Sequence, residues 1–136
     1  MNNAALIISM ATLQSNLLKK IDLQLSVHGI SFTEFLILYH LSKASKMTMR
    51  RIDLAESVGL SASGVTRLVN PMEKNHLVQK KSNPRDARVS LVELSETGAN
   101  LFKDAWSSFQ LIADSILKPL NDKQTETLSV LIDKLQ

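Results

Sequence analysis

Short polar side chains and one arginine gather in the stretch Leu54–His76, where their chemistry is hydrogen bonding rather than catalysis. The candidate binding residues are Ser61, Ala62, Ser63, Thr66, Arg67 and Asn70. On a helix they lie opposite an apolar stripe at i, i+3, i+4 and i+7 that is formed by Val65, Leu68, Val69 and Met72. A solvated helix face is usually filled with Lys and Glu. Short donors and acceptors beside an arginine instead suit base edges and phosphates in the major groove of B-DNA.

A helix, a tight turn and a second helix must position these residues. Gly59 is placed where a left-handed residue would close the first helix, because glycine has no Cβ. Ser61 is placed to cap the second helix, with its hydroxyl accepting from backbone amides one turn ahead. We expect Leu60 to be buried in the turn and Gly64 to permit close approach. The alternative is an ordinary helical hairpin of a protein core, since single helix–turn–helix patterns are common.

The apolar period changes from 3.6 to 2 after the second helix. Residues 77–81 and 89–94 are short β-like runs joined by the loop SNPRDAR. This pattern predicts a β-hairpin, which in this position predicts the wing of a winged helix. Arg85 and Arg88 near the tip have the charge to enter a narrow minor groove. Asp86 is expected to pair with a neighbouring arginine and to hold the tip in shape; the alternative is a solvated loop.

Apolar helices are predicted on both sides of this region. A stripe from Leu6 to Ile21 predicts a helix over 4–25, and a capping box of Ser31 and Glu34 predicts the next helix, to about residue 42. Residues 47–48 predict a minor strand and 50–58 a helix. Ser95 is predicted to cap a long helix over 96–117, and a cap-like start at 121–124 predicts a last helix to 135. We therefore expect one domain, 1–136, with a DNA-binding lobe over 31–94. Residues 1–30 and 95–136 are expected to form a dimerisation layer; packing only within the monomer is the alternative.

Composition and charge limit the possible functions. The chain has 136 residues, is 44% hydrophobic and carries a net charge of +3, which is typical of one globular domain. Between Lys43 and Arg88 there are ten Lys and Arg against four Asp and Glu, whereas the rest has six basic and nine acidic residues. The positive charge is therefore concentrated around the helix–turn–helix and the predicted wing. This asymmetry favours a polyanionic partner; a basic solvated face is the alternative.

Several classes are disfavoured by what the sequence lacks. There is no cysteine, which excludes disulfides, thiol redox sensing and cysteine-ligated metals. The three histidines have no HExxH spacing, and neither a Gly-rich phosphate loop nor a GxSxG elbow is present. We therefore expect no enzyme activity, no metal and no cofactor. No apolar run approaches ~18 residues and no signal-peptide pattern is present, so a cytoplasmic protein without a membrane partner is expected.

The order of elements and several segments resemble the multiple-antibiotic-resistance regulator (MarR) family of bacterial winged-helix transcription factors. The similarity lies in ISFTEF, in DLAESVGLSASGVTRLVNPMEKNHLV and in NPRDARVSLVELSETG, and it covers nearly all of the chain. It implies a mainly α winged helix–turn–helix fold with a small β-hairpin wing, in a homodimer with interleaved terminal helices. The dimer would bind a palindromic operator in double-stranded DNA. A small anionic or aromatic effector, held between the dimer layer and the lobe, would regulate it.

Family positions carry over to particular residues of this chain. In the recognition helix they are Ser61, Ser63, Thr66 and Arg67, and in the wing they are Asp86 and Arg88, with Arg88 as the minor-groove residue. Two departures stand out. His76 replaces a glycine that usually ends the recognition helix, so either His76 or the preceding Asn75 must supply the helix stop; asparagine tolerates the left-handed conformation better than other non-glycine residues. Pro71 lies inside that helix, where it should remove the backbone bond to Arg67 and bend the axis.

Two hypotheses follow. The first is a ligand-responsive, sequence-specific transcriptional regulator, acting as a repressor. The second is a winged-helix protein-interaction module that does not bind DNA, which Pro71 and the modest net charge suggest.

Overall fold

A computed structural model describes residues 1–136, and it is mainly helical with one small antiparallel sheet. The helices are α1 (Asn3–Leu25), α2 (Phe32–Lys43), α3 (Arg51–Val58), α4 (Ala62–Lys74), α5 (Glu96–Leu117) and α6 (Asp122–Leu135). The strands are β1 (Thr48–Arg50), β2 (Val78–Asn83) and β3 (Asp86–Leu94), in the sheet order β1-β3-β2. Short 3-10 turns occupy Ser26–His28 and Ser45–Met47. The predicted fold class, a winged helix–turn–helix flanked by long terminal helices, is confirmed.

Side-chain caps begin the helices where the sequence predicts them. The Ser31 hydroxyl accepts from the Glu34 amide at 3.1 Å, and the Glu34 carboxylate accepts from the Ser31 amide at 2.9 Å, which is the predicted capping box. The hydroxyl of Ser95 caps α5, and the side chain of Asn121 caps α6 in a second capping box. These caps satisfy amides that have no partner inside their helices. The helix starts are therefore encoded locally.

The core lies where α2, α3, α4 and the sheet meet the second half of α1 and the first half of α5. Phe35 is its aromatic centre, with ring centroids 5.2 Å from Phe102, 4.8 Å from Phe109 and 6.2 Å from Trp106. These contacts join α2 of the winged-helix lobe to α5 of the layer formed by the terminal helices α1, α5 and α6. Because such pairs bury large apolar areas, they hold the winged-helix lobe rigidly on that layer.

The terminal helices leave much of their apolar surface uncovered. In α1 only Ile21 and Leu25 are buried, and α6 has no buried residue. Exposed apolar side chains on these two helices include Leu6, Ile7, Ile8, Met10, Leu13, Leu128, Leu131, Ile132 and Leu135. Contacts within one chain therefore leave these apolar side chains exposed.

Three local expectations are corrected by the structure. Leu60 is 37% exposed rather than buried, because the turn between α3 and α4 lies on the outside of the lobe. The strands of the hairpin continue to Asn83 and from Asp86, so only Pro84 and Arg85 form its tip. The minor strand begins at Thr48, since the preceding residues form a 3-10 turn.

No individual helix has the length and apolar content to cross a membrane. Asn3–His28 and Phe32–Lys43 meet that criterion only as a pair, and the pair is bent by 74°.

Candidate DNA-binding surface

The outer side of α4 presents a polar stripe that begins at its cap. The Ser61 hydroxyl accepts from the Gly64 amide at 3.1 Å and shares a hydrogen bond with the Ser63 hydroxyl at 3.1 Å. Ser63, Arg67 and Asn70 follow at i, i+4 and i+7, all exposed, and Ala62 is exposed beside them. No hydrogen bond or ion pair within the chain engages the Arg67 guanidinium. The helix therefore offers small polar groups at its tip and a free arginine one turn further on.

Two other predicted contact residues are already bonded within the lobe. Thr66 is half-buried and faces α3: its hydroxyl accepts from Arg51 Nη1 at 2.6 Å and donates to the Ala62 carbonyl at 3.0 Å. The Asn70 side-chain oxygen accepts from Lys80 Nζ at 2.7 Å. Thr66 thus joins the two helices of the helix–turn–helix, and Asn70 joins the recognition helix to β2.

Gly64 faces the turn rather than an outside partner. A Cβ at this position would lie 3.3 Å from Ser61 Oγ and 3.5 Å from Leu60 Cβ. The glycine therefore relieves crowding between the first turn of α4 and the serine that caps it. A glycine at this position therefore contributes to packing within the lobe.

The end of α4 distinguishes between the two candidates for the helix stop, His76 and Asn75. The helix continues through Pro71 to Lys74, and it is His76, with φ 63°, that takes the left-handed conformation; Asn75 has φ −87°. The Leu77 amide donates to the Met72 carbonyl at 2.9 Å, closing a Schellman motif. Since Leu77 must be buried to start the next strand, that bond makes the residue before it the left-handed one. Of the two candidates, His76 rather than Asn75 therefore supplies the stop, although asparagine has the stronger general preference.

The tip of the wing is held by the aspartate–arginine pair that the sequence predicts. One Asp86 oxygen accepts from the Arg88 amide at 3.0 Å and from Arg88 Nε at 3.2 Å. These bonds hold the pKa of the Asp86 carboxyl below its usual range. The Arg88 side chain is nevertheless 91% exposed, and Arg85 projects from the two-residue tip beside it. The wing therefore carries two accessible arginines on a braced backbone.

Sequence inspection missed the residues that join the wing to the recognition helix. Glu73 accepts from the Lys80 backbone amide at 3.2 Å, and the Lys80 ammonium lies 3.8 Å from the same carboxylate while it donates to Asn70. These groups are exposed, so the ion pair between Lys80 and Glu73 adds little stability. Together they set the angle between α4 and β2. No pattern in the sequence reveals this contact, because it depends on how the strand leaves the helix.

A second missed connection fastens the recognition helix to α5. The Ser95 hydroxyl donates to the His76 carbonyl at 2.5 Å and accepts from the Gly98 amide at 2.9 Å, and the Ser95 amide donates to the Leu77 carbonyl at 3.2 Å. Gly98 allows this approach, since a Cβ there would lie within 2.9 Å of the Leu77 carbonyl carbon. The start of the long helix and the end of the recognition helix therefore form one rigid junction.

The recognition helix carries a free arginine and is connected to α3, to the wing and to α5, and the wing carries two more arginines. These features define a winged helix–turn–helix transcriptional regulator. The comparisons with known proteins agree. Residues 17–105 match the family model of the transcriptional regulator SarA/Rot. The chain therefore belongs to the SarA/Rot family of MarR-like winged-helix transcriptional regulators, and the predicted family resemblance is confirmed. Because this is a family of regulators, the prediction that the chain is not an enzyme is confirmed by the match.

Individual relatives are distant in sequence but close in structure. The chain is 23% identical over 108 residues to the HTH-type transcriptional regulator MhqR of Bacillus subtilis, a match covering 79% of this chain and 73% of that protein. AbsC, a MarR family transcriptional regulator from Streptomyces coelicolor, superimposes with a TM-score of 0.86 at 20% identity, covering 99% of this chain and 93% of that one. Sco3205, a MarR family regulator from the same organism crystallised in complex with DNA, gives a TM-score of 0.87 at 17% identity, with coverages of 99% and 90%.

Proposed function

We propose that this protein binds double-stranded DNA in a sequence-specific manner and regulates transcription as a repressor. One observation carries the proposal: Arg67 on the recognition helix and Arg85 and Arg88 on the wing are exposed on the same lobe, and no carboxylate pairs with Arg67 or Arg85. Arginine suits guanine in the major groove and the negative potential of a narrow minor groove. The local excess of basic residues adds a sequence-independent attraction to phosphates.

The proposed contacts divide into two kinds. Ser61, Ala62, Ser63 and Arg67 would meet base edges and nearby phosphates from the tip of α4. Arg85 and Arg88 would enter the adjacent minor groove. Thr66, Asn70 and Asp86 would mainly position these groups, because their side-chain oxygens are engaged within the chain.

A mobility-shift titration tests this proposal, with duplex DNA from the intergenic region beside the protein's own gene. Arg67→Ala should weaken binding to the specific site about 10- to 100-fold and bring it closer to random DNA, because a bidentate arginine–guanine contact discriminates by about 1–3 kcal/mol. Arg88→Ala should weaken binding to all sequences and lower the salt slope by about 0.9 per lost phosphate-neutralising charge. Lys118→Ala on the distal end of α5 is the matched control. Unchanged affinity in both arginine variants would contradict the proposal.

We also propose that the protein is a homodimer whose terminal helices interleave. Leu128, Leu131, Ile132 and Leu135 form an exposed apolar stripe on α6, and α1 also exposes apolar side chains along its first half. A second copy of the chain offers matching stripes, and a twofold dimer would place two lobes on half-sites about 10 bp apart in a palindrome. Sedimentation should give twice the chain mass of 15.1 kDa. Leu131→Asp should yield monomers, whereas Asp133→Ala, on the opposite face of α6, should not.

We further propose that a small anionic aromatic effector releases the protein from DNA. A cavity of about 430 Å³ lies between α2 and α5, lined by Tyr39, Lys43, Phe102, Lys103, Trp106 and Ser107. The Tyr39 and Trp106 rings are nearly parallel, at 13°, with centroids 5.9 Å apart, and two lysines supply positive charge. An aromatic carboxylate such as salicylate is the probe. It should quench Trp106 fluorescence on binding and lower DNA affinity, and Lys103→Ala should weaken both effects.

A further inference from the structure

A basic cavity lies in the gap between the helix–turn–helix and the wing. Its volume is about 320 Å³, and its walls come from the start of α3, the first residue of α4 and the middle of β3. The polar side chains that line it are Arg50, Arg51, Arg88 and Ser90, so three arginines and no carboxylate face the same space. None of the DNA contacts proposed above uses Arg50 or Arg51.

Arg51 carries the uncompensated charge of this cavity. Arg50 is paired with Asp53: its Nε and Nη2 lie 2.8 Å and 3.1 Å from the two Asp53 carboxylate oxygens. Arg88 is paired with Asp86. Arg51 has no carboxylate within 4.0 Å. Its Nη1 donates to the Thr66 hydroxyl, and its Nε is buried without a hydrogen-bond partner.

The position of Arg51 in its own helix also disfavours a purely structural role. It is the first residue of α3, directly after Arg50 at the N-cap. Cations are unfavourable at a helix N-terminus, where the macrodipole and the free amides present partial positive charge. Asp53 in the first turn offsets Arg50, so Arg51 remains as a cation without an acidic partner at this helix end, and a local conflict of this kind is expected at functional sites.

The geometry of B-DNA indicates that ligand. If α4 enters a major groove and the wing enters the adjacent minor groove, one phosphodiester strand must pass between them, because a strand separates the two grooves. The cavity occupies this gap. Arginine is the side chain best suited to phosphate oxygens, because its planar fork donates two parallel hydrogen bonds.

We infer that Arg51, with Arg50 beside it, forms a binding site for one backbone phosphate of duplex DNA, on the strand between the recognition helix and the wing. The inference rests on the proposed DNA-binding function. The contact is independent of sequence: it fixes how deeply the lobe sits and leaves base discrimination to Arg67. Because Arg51 also holds Thr66, the phosphate and the recognition helix would be held by the same guanidinium.

A salt titration of DNA binding tests the charge of this site. Arg51→Met preserves the length and the apolar stem but removes the charge. It should lower affinity about tenfold on specific and random duplexes alike, and it should reduce the slope of log K against log salt by about 0.9. Arg51→Lys should retain the wild-type slope, because the charge remains. Lys118→Met, which removes one basic residue outside the cavity, should change neither quantity.

Replacing one backbone phosphate of the DNA with an uncharged analogue tests the location of the site. Methylphosphonate is placed at each position in turn along the strand that borders the two grooves of one half-site. At one position it should weaken the wild-type protein about tenfold and leave Arg51→Met unaffected, since that variant has already lost the contact. The circular dichroism spectrum of Arg51→Met should match that of the wild-type protein, and its thermal melting should remain cooperative with only the small decrease expected from the lost bond to Thr66, which separates a lost contact from a lost fold.

The outcomes distinguish this inference from the proposal that it rests on. If the wild-type protein shows no salt-dependent affinity for duplex DNA, both are overturned. If the Arg67 and Arg88 variants behave as proposed but Arg51→Met keeps the wild-type slope, only the phosphate site is overturned. The same holds if Arg51→Lys shows the reduced slope of Arg51→Met, or if every methylphosphonate weakens both proteins equally.

Discussion

Ser95→Ala tests the junction between α5 and the recognition helix most directly. The serine is 8% exposed, and its hydroxyl makes two bonds: it caps α5 by accepting from the Gly98 amide, and it donates to the His76 carbonyl. Alanine removes both bonds but leaves the backbone bond from residue 95 to the Leu77 carbonyl. The change is small in volume, so the expected effect comes from hydrogen bonding rather than from packing.

The two lost bonds set the size of the effect. Loss of an N-cap hydroxyl costs about 1 kcal/mol in the free energy of unfolding. Loss of the bond to the His76 carbonyl costs about 1 kcal/mol more, because that acceptor is left at a partly buried junction. The sum, about 2 kcal/mol, should lower the melting temperature by about 6–10 °C for a chain of this length.

Ser31→Ala provides the matched control. Ser31 caps α2 with the same geometry, at 3.1 Å from the Glu34 amide, and its hydroxyl makes no other hydrogen bond. It should therefore cost about 1 kcal/mol. Urea unfolding of the three proteins must be compared at one protein concentration, because the stability of a dimer depends on concentration. If Ser95→Ala and Ser31→Ala agreed within about 0.5 kcal/mol, the His76 bond would contribute nothing and the argument for the junction would be refuted.

Three further substitutions test the end of the recognition helix, the junction with α5 and the wing tip. His76→Gly should raise the free energy of unfolding by about 1 kcal/mol, measured by urea titration, because glycine adopts the left-handed conformation without strain; a loss of stability would contradict this. Gly98→Ala should destabilise by more than about 3 kcal/mol in the same assay, because its Cβ meets the backbone carbonyl of Leu77, and a near-neutral result would show that the junction is pliable. Asp86→Asn should weaken DNA binding several-fold by loosening Arg88. Because the pKa of Asp86 is lowered, this pair should contribute equally from pH 8 to 5 and be lost only as the pH falls through that lowered value; a wild-type affinity that changed through Asp86 above pH 5 would contradict the assignment.

The parts of the fold that were predicted from sequence are those encoded over a few residues. Ser31 with Glu34 and Asn121 with Gln124 form the two capping boxes, and Gly59 ends α3 with φ 70°. Such motifs bond a residue to another within one turn, so their spacing alone identifies them. The apolar periods that predicted the helices follow the same logic, since each side chain's face depends only on its position along the element.

Contacts between elements could not be predicted in this way. The choice between Asn75 and His76 as the helix stop could not be made from sequence, because the general preference for asparagine does not show that Leu77 must reach the core and bond to Met72. Thr66 was assigned to the outer face by helical position, but it lies close enough to α3 for Arg51 to engage it. Helical spacing gives the direction of a side chain relative to its own axis. It does not give the distance to a neighbouring helix, which depends on packing.

The engaged residues hold the recognition helix rigidly, as the proposed reading of DNA would require. Arg51 joins α4 to α3, Lys80 joins it to the wing, and Ser95 joins its end to α5. A helix connected at its start, middle and end cannot rotate without breaking one of these bonds. Arg67 therefore projects from a fixed position, and less conformational entropy is lost when it binds. Because α5 also carries the aromatic contacts to Phe35, a shift of that helix would be transmitted through Ser95 to the recognition helix, and this would give the proposed effector a mechanical link to the DNA-binding surface.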